Sequence, residues 1–320
     1  VAYTLTFSEA VQAIDADDLT VTGATIDSVD HTAGSKTATV TVTVTDDSMA
    51  NVSITAKPSI VDIAGNPLVQ AVDDSQTVDT RNPSTEGAPK VSDVLITDAD
   101  ANGDGGPSTL SVSFTFNEAM DTGTAPTVTF DPAVASTLTG QSGAWQSDGK
   151  TYKVEATVAD DGVDANEVTI DIEGAKDAAG NLQVDHTATV GLGIDTLNPT
   201  ATYSSEIKNQ NTNGAADVAS DADTIVAYTV DFSEPVSGIA ETDIAVAGGA
   251  VVTGTVALSE DKMQATFDVQ ASDDSDADLV VKVKSTVTDL NGNKLIETSS
   301  EAVTVDTRNP DVTITDDQSG

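Results

Sequence analysis

The sequence predicts an all-β protein built from tandem, similar units, and two observations carry this prediction. Apolar residues alternate with Thr and Ser in short runs, as over residues 2–7, and helical periodicity is absent. A junction of pattern Asp-Thr-x-Asn-Pro occurs three times, at residues 79–83, 195–199 and 306–310. Each copy follows an alternating run and ends in proline, which cannot donate to a β-ladder. The junction therefore indicates where one domain ends and the next begins.

Within each unit the predicted elements follow the same order. A strand at 2–7, 110–116 or 226–232 closes with Phe-Ser-Glu or Phe-Asn-Glu. Short strands follow, around 19–21 and Ile26 in the first unit and 244–246 in the third, and then two longer strands, at 38–44 and 51–56, 152–158 and 167–172, and 263–269 and 278–283. An Asp-x-x-Gly-Asn turn at 62–66, 177–181 or 289–293 precedes the last strand. About seven short strands separated by such turns predict an immunoglobulin-like Greek-key β-sandwich, here without the usual disulfide.

The junctions divide the chain into domains 1–80, 81–196 and 197–307, followed by residues 308–320 as the first strand of a fourth unit. The second and third units begin with an additional opening strand, at 90–97 and 201–207. The first unit lacks this strand, since residue 1 already lies in the strand that follows it. We therefore expect an elongated array of repeats whose boundaries are out of phase with the chain ends.

Charge and composition exclude several classes of function. The chain has 13 Lys and Arg against 53 Asp and Glu, for a net charge of -40, which disfavours nucleic acid and direct contact with an anionic membrane. It has no cysteine and two histidines, too few for a thiolate or histidine zinc centre. No catalytic triad order or phosphate-binding loop is present, and a paired acid and base repeated in every unit is unlike an active site. We expect a protein that is not an enzyme.

The acidic residues are placed where a cation would be needed. In a sandwich with strands lettered A to G, the B–C and F–G connections share the pole that receives the preceding unit. A glutamate opens the first connection, an aspartate opens the second, and the junction brings a third carboxylate. The predicted groups are Asp79, Glu118 and Asp177 in one joint, Asp195, Glu234 and Asp289 in the next, and Glu9 with Asp62 in the first unit.

Carboxylates that converge in this way repel each other unless a hard cation is bound, and oxygen ligands suit Ca²⁺. Asn82 or Asn198, with backbone carbonyls, would complete the coordination shell, and Asp306 would serve a following unit. The alternative is that these motifs are only a turn and a strand end.

The opposite pole carries a second set of acidic residues. Residues 98–104 resemble the beginning of an EF-hand loop, but no glutamate stands at its twelfth position, and an ordinary Asp-rich turn is the alternative. The metal-ligand candidates at this pole come from the A–B and E–F loops of two units: Asp98, Asp100, Asn102, Asp104, Asp160, Asp161, Asp221, Asp223, Asp273 and Asp274.

The recurring motifs also resemble a known family. Phe-Ser-Glu, Asp-x-x-Gly-Asn and the closing Val-Asp-Thr-x-x-Pro are similar to the tandem bacterial Ig-like repeats of giant type I-secreted (RTX) adhesins, which take part in biofilm formation. The resemblance implies an extracellular, cell-surface extender stalk that contacts its neighbouring repeats, binds Ca²⁺ at the joints and projects a distal ligand-binding tip. An alternative is that one domain itself binds a glycan or protein ligand, with the second unit and its Trp145 as the candidate.

Overall fold

The computed structural model describes residues 1–101, 109–208, 218–221 and 224–316. Three predicted ligands, Asn102, Asp104 and Asp223, lie outside these residues. The described residues form three successive β-sandwiches, each with a separate hydrophobic core. We call them the first, second and third units, and call the contacts between them joint 1–2 and joint 2–3.

The first unit has two three-stranded sheets, β1-β4-β3 and β2-β5-β6. Alternation places Val40 and Val42 of β4 inside, and Val52 and Ile54 of β5 face them from the other sheet. The strands are β1 (Ala2–Thr6), β2 (Leu19–Thr22), β3 (Ala24–Asp30), β4 (Thr37–Val44), β5 (Val52–Ala56) and β6 (Val72–Gln76).

The second unit has sheets β11-β12-β9-β7 and β10-β13-β14-β8. Its strands are β7 (Lys90–Val91), β8 (Leu95–Thr97), β9 (Thr109–Thr115), β10 (Thr127–Asp131), β11 (Leu138–Trp145), β12 (Thr151–Val158), β13 (Asp164–Glu173) and β14 (Thr189–Asp195). A single helical turn, α1 (Asp98–Ala101), follows β8 and was not predicted.

The third unit repeats this arrangement, with β15-β17-β21-β19 as one sheet and the pairs β18-β22 and β16-β23 opposite. Its strands are β15 (Ala201–Ile207), β16 (Val218–Ser220), β17 (Ile225–Phe232), β18 (Ile244–Ala247), β19 (Gly249–Val251), β20 (Ala257–Leu258), β21 (Gln264–Ala271), β22 (Val280–Val283) and β23 (Thr304–Asp306). In the second unit, β7, β9, β12 and β11 are strands A, B, E and D of one sheet, and β10, β13 and β14 are strands C, F and G of the other. The third unit divides its strands between the two sheets in the same way. Each unit is an immunoglobulin-like sandwich.

The opening strand of the second unit differs from its prediction. Residues 90–97 form two strands: β7 pairs with β9, and β8 crosses to the other sheet and pairs with β14. The β8–β14 pairing is parallel, as is β16–β23 in the third unit. The crossing lets one segment cover the edges of both sheets, and it buries Ile96 to 2% exposure.

Residues 308–316, in the segment predicted as the first strand of a fourth unit, form no strand. Val312 and Ile314 are 84% and 90% exposed, because no neighbouring strand of the described chain pairs with this segment. The first unit has no strand equivalent to β7 or β15, and a groove of about 700 Å³ lies between β1 and β6.

Candidate metal centres at the joints between units

The Asp-x-x-Gly-Asn motif is a turn that fixes a buried carboxylate. In the second unit, Asp177 Oδ1 accepts hydrogen bonds from the backbone N–H groups of Ala179 and Asn181, both at 2.8 Å. The Asn181 side-chain amide donates to Asp177 Oδ2 at 2.7 Å. Gly180 has φ of 97°, a left-handed conformation that favours glycine. The motif therefore holds Asp177 at 1% exposure with its orientation set by its own turn.

The B–C connection and the junction dock on this turn. Met120 forms an antiparallel bridge with Asp177, and Val236 does the same with Asp289 in the third unit. The middle residue of the Phe-Asn-Glu triplet holds the incoming chain, because Asn117 Oδ1 accepts a hydrogen bond from Ser84 N at 3.0 Å. Asparagine here takes the role that Ser233 has in the third unit, where its Oγ accepts from Thr200 N at 2.9 Å. These contacts seat each junction on the following unit.

The threonine of the junction binds the unit that it leaves. Thr196 is fully buried; its N–H donates to Val163 O at 2.7 Å, and its Oγ1 accepts from Val163 N at 3.0 Å. Thr80 and Thr307 form the equivalent contacts with Ser48 and Ser275. Sequence reasoning missed this role, although the recurrence of the threonine in all three junctions was a signal for it.

Two groups of three carboxylates come together, one at each joint. The first group is Asp79, Glu118 and Asp177, and the second is Asp195, Glu234 and Asp289. Within each group, one carboxylate oxygen from each residue lies within 4.8 Å of the other two. Each group takes one residue from the end of a strand G or its junction and two from the next unit. Four of the six residues are buried, whereas Asp79 and Glu234 are partly exposed. The arrangement can hold a cation that both units share.

Joint 2–3 contains a network of amide hydrogen bonds around its carboxylates. Asn293 is 1% exposed, and its Nδ2 donates to Asp195 O at 2.9 Å and to Asp289 Oδ2 at 2.8 Å. Its Oδ1 accepts from Asp98 N at 2.8 Å, so a single side chain joins two segments of the second unit to the third. Asn291 Nδ2 donates to Asp195 Oδ2 at 2.6 Å. Sequence reasoning assigned the asparagine of this turn no role beyond the turn itself.

The electrostatics of joint 2–3 disfavour the charged forms of Glu234 and Asp195. Burial, followed by the charges of Asp289, Asp195 and Asp164, raises the pKa of Glu234 to about 7. Burial and the charges of Asp289 and Asp164 also raise the pKa of Asp195, although the Asn291 amide opposes this shift. Glu234 Oε1 is a buried oxygen without a hydrogen-bond partner. A buried carboxyl oxygen without a hydrogen-bond partner, beside two further carboxylates, fits a bound cation.

Joint 1–2 contains a positively charged side chain, that of Arg81. Arg81 Nε lies 3.2 Å from Glu118 Oε1, and the Glu118 side chain is 6% exposed. The Asn181 amide donates to Asp79 O at 3.1 Å, as Asn293 does to Asp195 O in joint 2–3.

The remaining predicted ligands are not part of these groups. Glu9 is exposed and Asp62 is 9% exposed, with a pKa lowered chiefly by the hydrogen bond from the Asn66 side chain. Asn82 is exposed and Asn198 half-buried. At the opposite poles, Asp100 Oδ2 accepts from Thr97 N at 2.8 Å, which gives it a capping role at the start of α1. In the described residues no group of three acids includes the other candidates, Asp98, Asp160, Asp161, Asp221, Asp273, Asp274 and Asp306.

Trp145 belongs to the core of the second unit. It is half-buried, its ring lies 5.8 Å from Phe116 and 5.1 Å from Tyr152, and its Nε1 donates to Thr124 O at 2.9 Å. The ring therefore closes one end of the hydrophobic core.

The match to a known domain family agrees with the architecture of the first unit. Residues 1–80 match the bacterial Ig-like domain family. Among solved structures, the chain is similar to the N-terminal eight Ig domains of Down Syndrome Cell Adhesion Molecule isoform 1.30.30, at 11% identity and a TM-score of 0.30. That match covers 93% of this chain and 39% of the solved chain. A search of curated proteins found no match. None of the described helices is long and apolar enough to span a membrane.

Proposed function

We propose that the chain is a non-catalytic, calcium-rigidified extender segment of a bacterial cell-surface adhesin. The observation that carries the proposal is the pair of joint sites, in which carboxylates of adjacent Ig-like units lie within 4.8 Å of one another. The motif resemblance supports an extracellular stalk of the type I-secreted (RTX) class that projects a distal ligand-binding region for adhesion or biofilm formation. The match of residues 1–80 to a bacterial Ig-like domain supports the same assignment.

The residues that would hold Ca²⁺ are Asp79, Glu118 and Asp177 at one joint and Asp195, Glu234 and Asp289 at the other. The donors are oxygen atoms only, which is the preference of Ca²⁺, and extracellular modules bind it with dissociation constants of about 0.1 to 1 mM. Bound calcium supplies positive charge that offsets the repulsion between the carboxylates. The protein contributes the positions, because turns and amide hydrogen bonds orient Asp177 and Asp289 before any cation arrives.

A ligand-binding role for the second unit has less support. Trp145, its candidate contact residue, packs against Phe116 and Tyr152 and uses its Nε1 within the protein. We therefore propose the stalk role alone.

Small-angle X-ray scattering of the intact chain tests this function. With millimolar calcium we expect an extended particle with a defined maximum dimension, and with chelator a flexible one. The double variant Glu118→Gln/Glu234→Gln should remain flexible in calcium, whereas Glu206→Gln, on an exposed position of β15, should behave as the wild type. Identical wild-type profiles with calcium and with chelator would refute the proposal.

A further inference from the structure

The two joints differ at one position of an otherwise repeated junction. The third residue of Asp-Thr-x-Asn-Pro is Arg81 at joint 1–2 and Leu197 at joint 2–3. The guanidinium of Arg81 forms an ion pair with Glu118. Leu197 is 39% exposed and provides no charge. Equivalent glutamates in adjacent joints therefore have different surroundings.

Among the described residues of joint 2–3, no positively charged side chain takes the place of this arginine. Six ion pairs occur among the described residues, and only the pair of Arg81 with Glu118 involves a joint carboxylate. The corresponding glutamate, Glu234, has a buried oxygen with no hydrogen-bond partner. Joint 1–2 therefore contains one positively charged side chain, that of Arg81, and joint 2–3 has none among its described residues.

In joint 2–3 a neutral side chain, that of Asn291, donates a hydrogen bond to one of the carboxylates. Asn291 donates to Asp195 Oδ2, and the same turn position in the second unit is Ala179. An amide satisfies hydrogen-bonding capacity but adds no positive charge, so the three carboxylates still repel each other. Asn291 therefore helps to orient Asp195 and leaves the charge of the group uncompensated.

We propose that Arg81 is an internal counter-ion that stiffens joint 1–2 when calcium is scarce, whereas Leu197 leaves joint 2–3 dependent on calcium. This inference rests on the proposed function. Arg81 reduces the negative charge that attracts a divalent cation and occupies a glutamate that would bind it. A unit charge at this range, partly screened by solvent, changes a binding constant by roughly tenfold. Joint 2–3 should accordingly fill at lower calcium concentration than joint 1–2.

Double electron–electron resonance measures each joint separately, because the chain has no cysteine that would interfere with spin labelling. One double-cysteine variant carries labels at Thr20 and Ser142, across joint 1–2, and a second carries them at Ser142 and Gln270, across joint 2–3; all three positions are exposed in strands. In chelator we expect a narrow distance distribution across joint 1–2 and a broad one across joint 2–3. Added calcium should narrow the distribution across joint 2–3 and leave that across joint 1–2 unchanged.

Exchanging the two junction residues tests the cause. Arg81→Leu should broaden the distance distribution across joint 1–2 in chelator and give that joint a calcium midpoint close to that of wild-type joint 2–3, and Leu197→Arg should narrow the distribution across joint 2–3 in chelator. Arg81→Lys should retain most of the wild-type behaviour because it keeps the charge. Arg308→Leu is the matched control: it changes the same motif position outside both joints and should alter neither.

The outcomes separate this inference from the proposed function. If calcium narrows both joints with one midpoint and Arg81→Leu changes nothing, the role of Arg81 is refuted and the calcium joints stand. If calcium narrows neither joint in the wild type, the proposed function itself is refuted. Because leucine is the native residue at this motif position in joint 2–3, the junction accepts it at the position of Arg81. Thermal unfolding of each variant verifies that the units remain folded.

Discussion

Replacing Asn293 with alanine should weaken joint 2–3 more than any other single change of an uncharged residue that we consider. The side chain is 1% exposed and forms three hydrogen bonds, to Asp195 O, Asp289 Oδ2 and Asp98 N. Two of them connect the third unit to the second. Alanine removes all three, including the bond to the backbone carbonyl of the buried Asp195 and the bond from the part-buried Asp98 N–H.

The expected loss follows from these contacts. Hydrogen bonds between neutral groups contribute about 1 kcal/mol each, and one to a carboxylate about 2 kcal/mol. Asn293→Ala should therefore cost about 3 to 4 kcal/mol, roughly half of it from the two contacts between units. For a domain of this size that corresponds to a fall of about 12 to 16 °C in Tm.

Differential scanning calorimetry of the intact chain in chelator provides the measurement, with the equivalent asparagines as matched controls. Asn181 makes one contact between units, to Asp79 O, and Asn66 bonds only within its own turn, to Asp62. The losses should decrease in the order Asn293, Asn181, Asn66. Equal losses in all three variants would show that the contacts between units add no stability and would refute the reasoning.

Two further predictions concern single residues at joint 2–3. Thr196→Val should destabilise the second unit by about 1 to 3 kcal/mol, because Val163 N loses its hydrogen-bond acceptor. Thr196→Ser keeps the hydroxyl and should have a Tm close to that of the wild type in calorimetry. Equal Tm values for the two variants would contradict this prediction. In chelator, the stabilisation from protonated Glu234 should be complete below its ordinary pKa of 4.5 and lost as the pH rises through about 7. The Tm difference between wild type and Glu234→Gln should therefore widen over this range, and a constant difference would contradict the shift.

The fold was largely predictable because its signals are local and repeated. Alternating runs placed the central strands close to their bounds, as with β17, which was predicted at 226–232 and is observed at Ile225–Phe232. The switch of the opening strand between sheets was not predictable in the same way. Residues 90–97 have two adjacent polar residues at 92–93 and three adjacent apolar residues at 94–96, and the crossing at 92–94 depends on which strand edges are open on either side. Edge pairing is a tertiary property that periodicity does not encode.

The joint carboxylates could be grouped from the sequence because strand order alone assigns loops to poles. Glu118 and Asp177 are distant in sequence, yet any B–C and F–G connection of this sandwich must meet. Neutral residues were missed for the opposite reason. Thr196 and Asn293 belong to motifs common in ordinary turns, and only the neighbouring unit reveals what their side chains contact.

The neutral and charged groups of joint 2–3 act in opposite directions, and under the proposed function this opposition would make the joint respond to calcium. Amide hydrogen bonds from Asn293 and Asn291 hold the units in register, while Asp195, Glu234 and Asp289 repel each other across the same contact. A joint with the amides alone would be equally stiff in every medium, and a joint with the carboxylates alone would separate without a cation. When both kinds of group are present, a bound cation would offset the repulsion between the carboxylates that opposes the amide hydrogen bonds. The stiffness of the joint would then follow the calcium concentration around it.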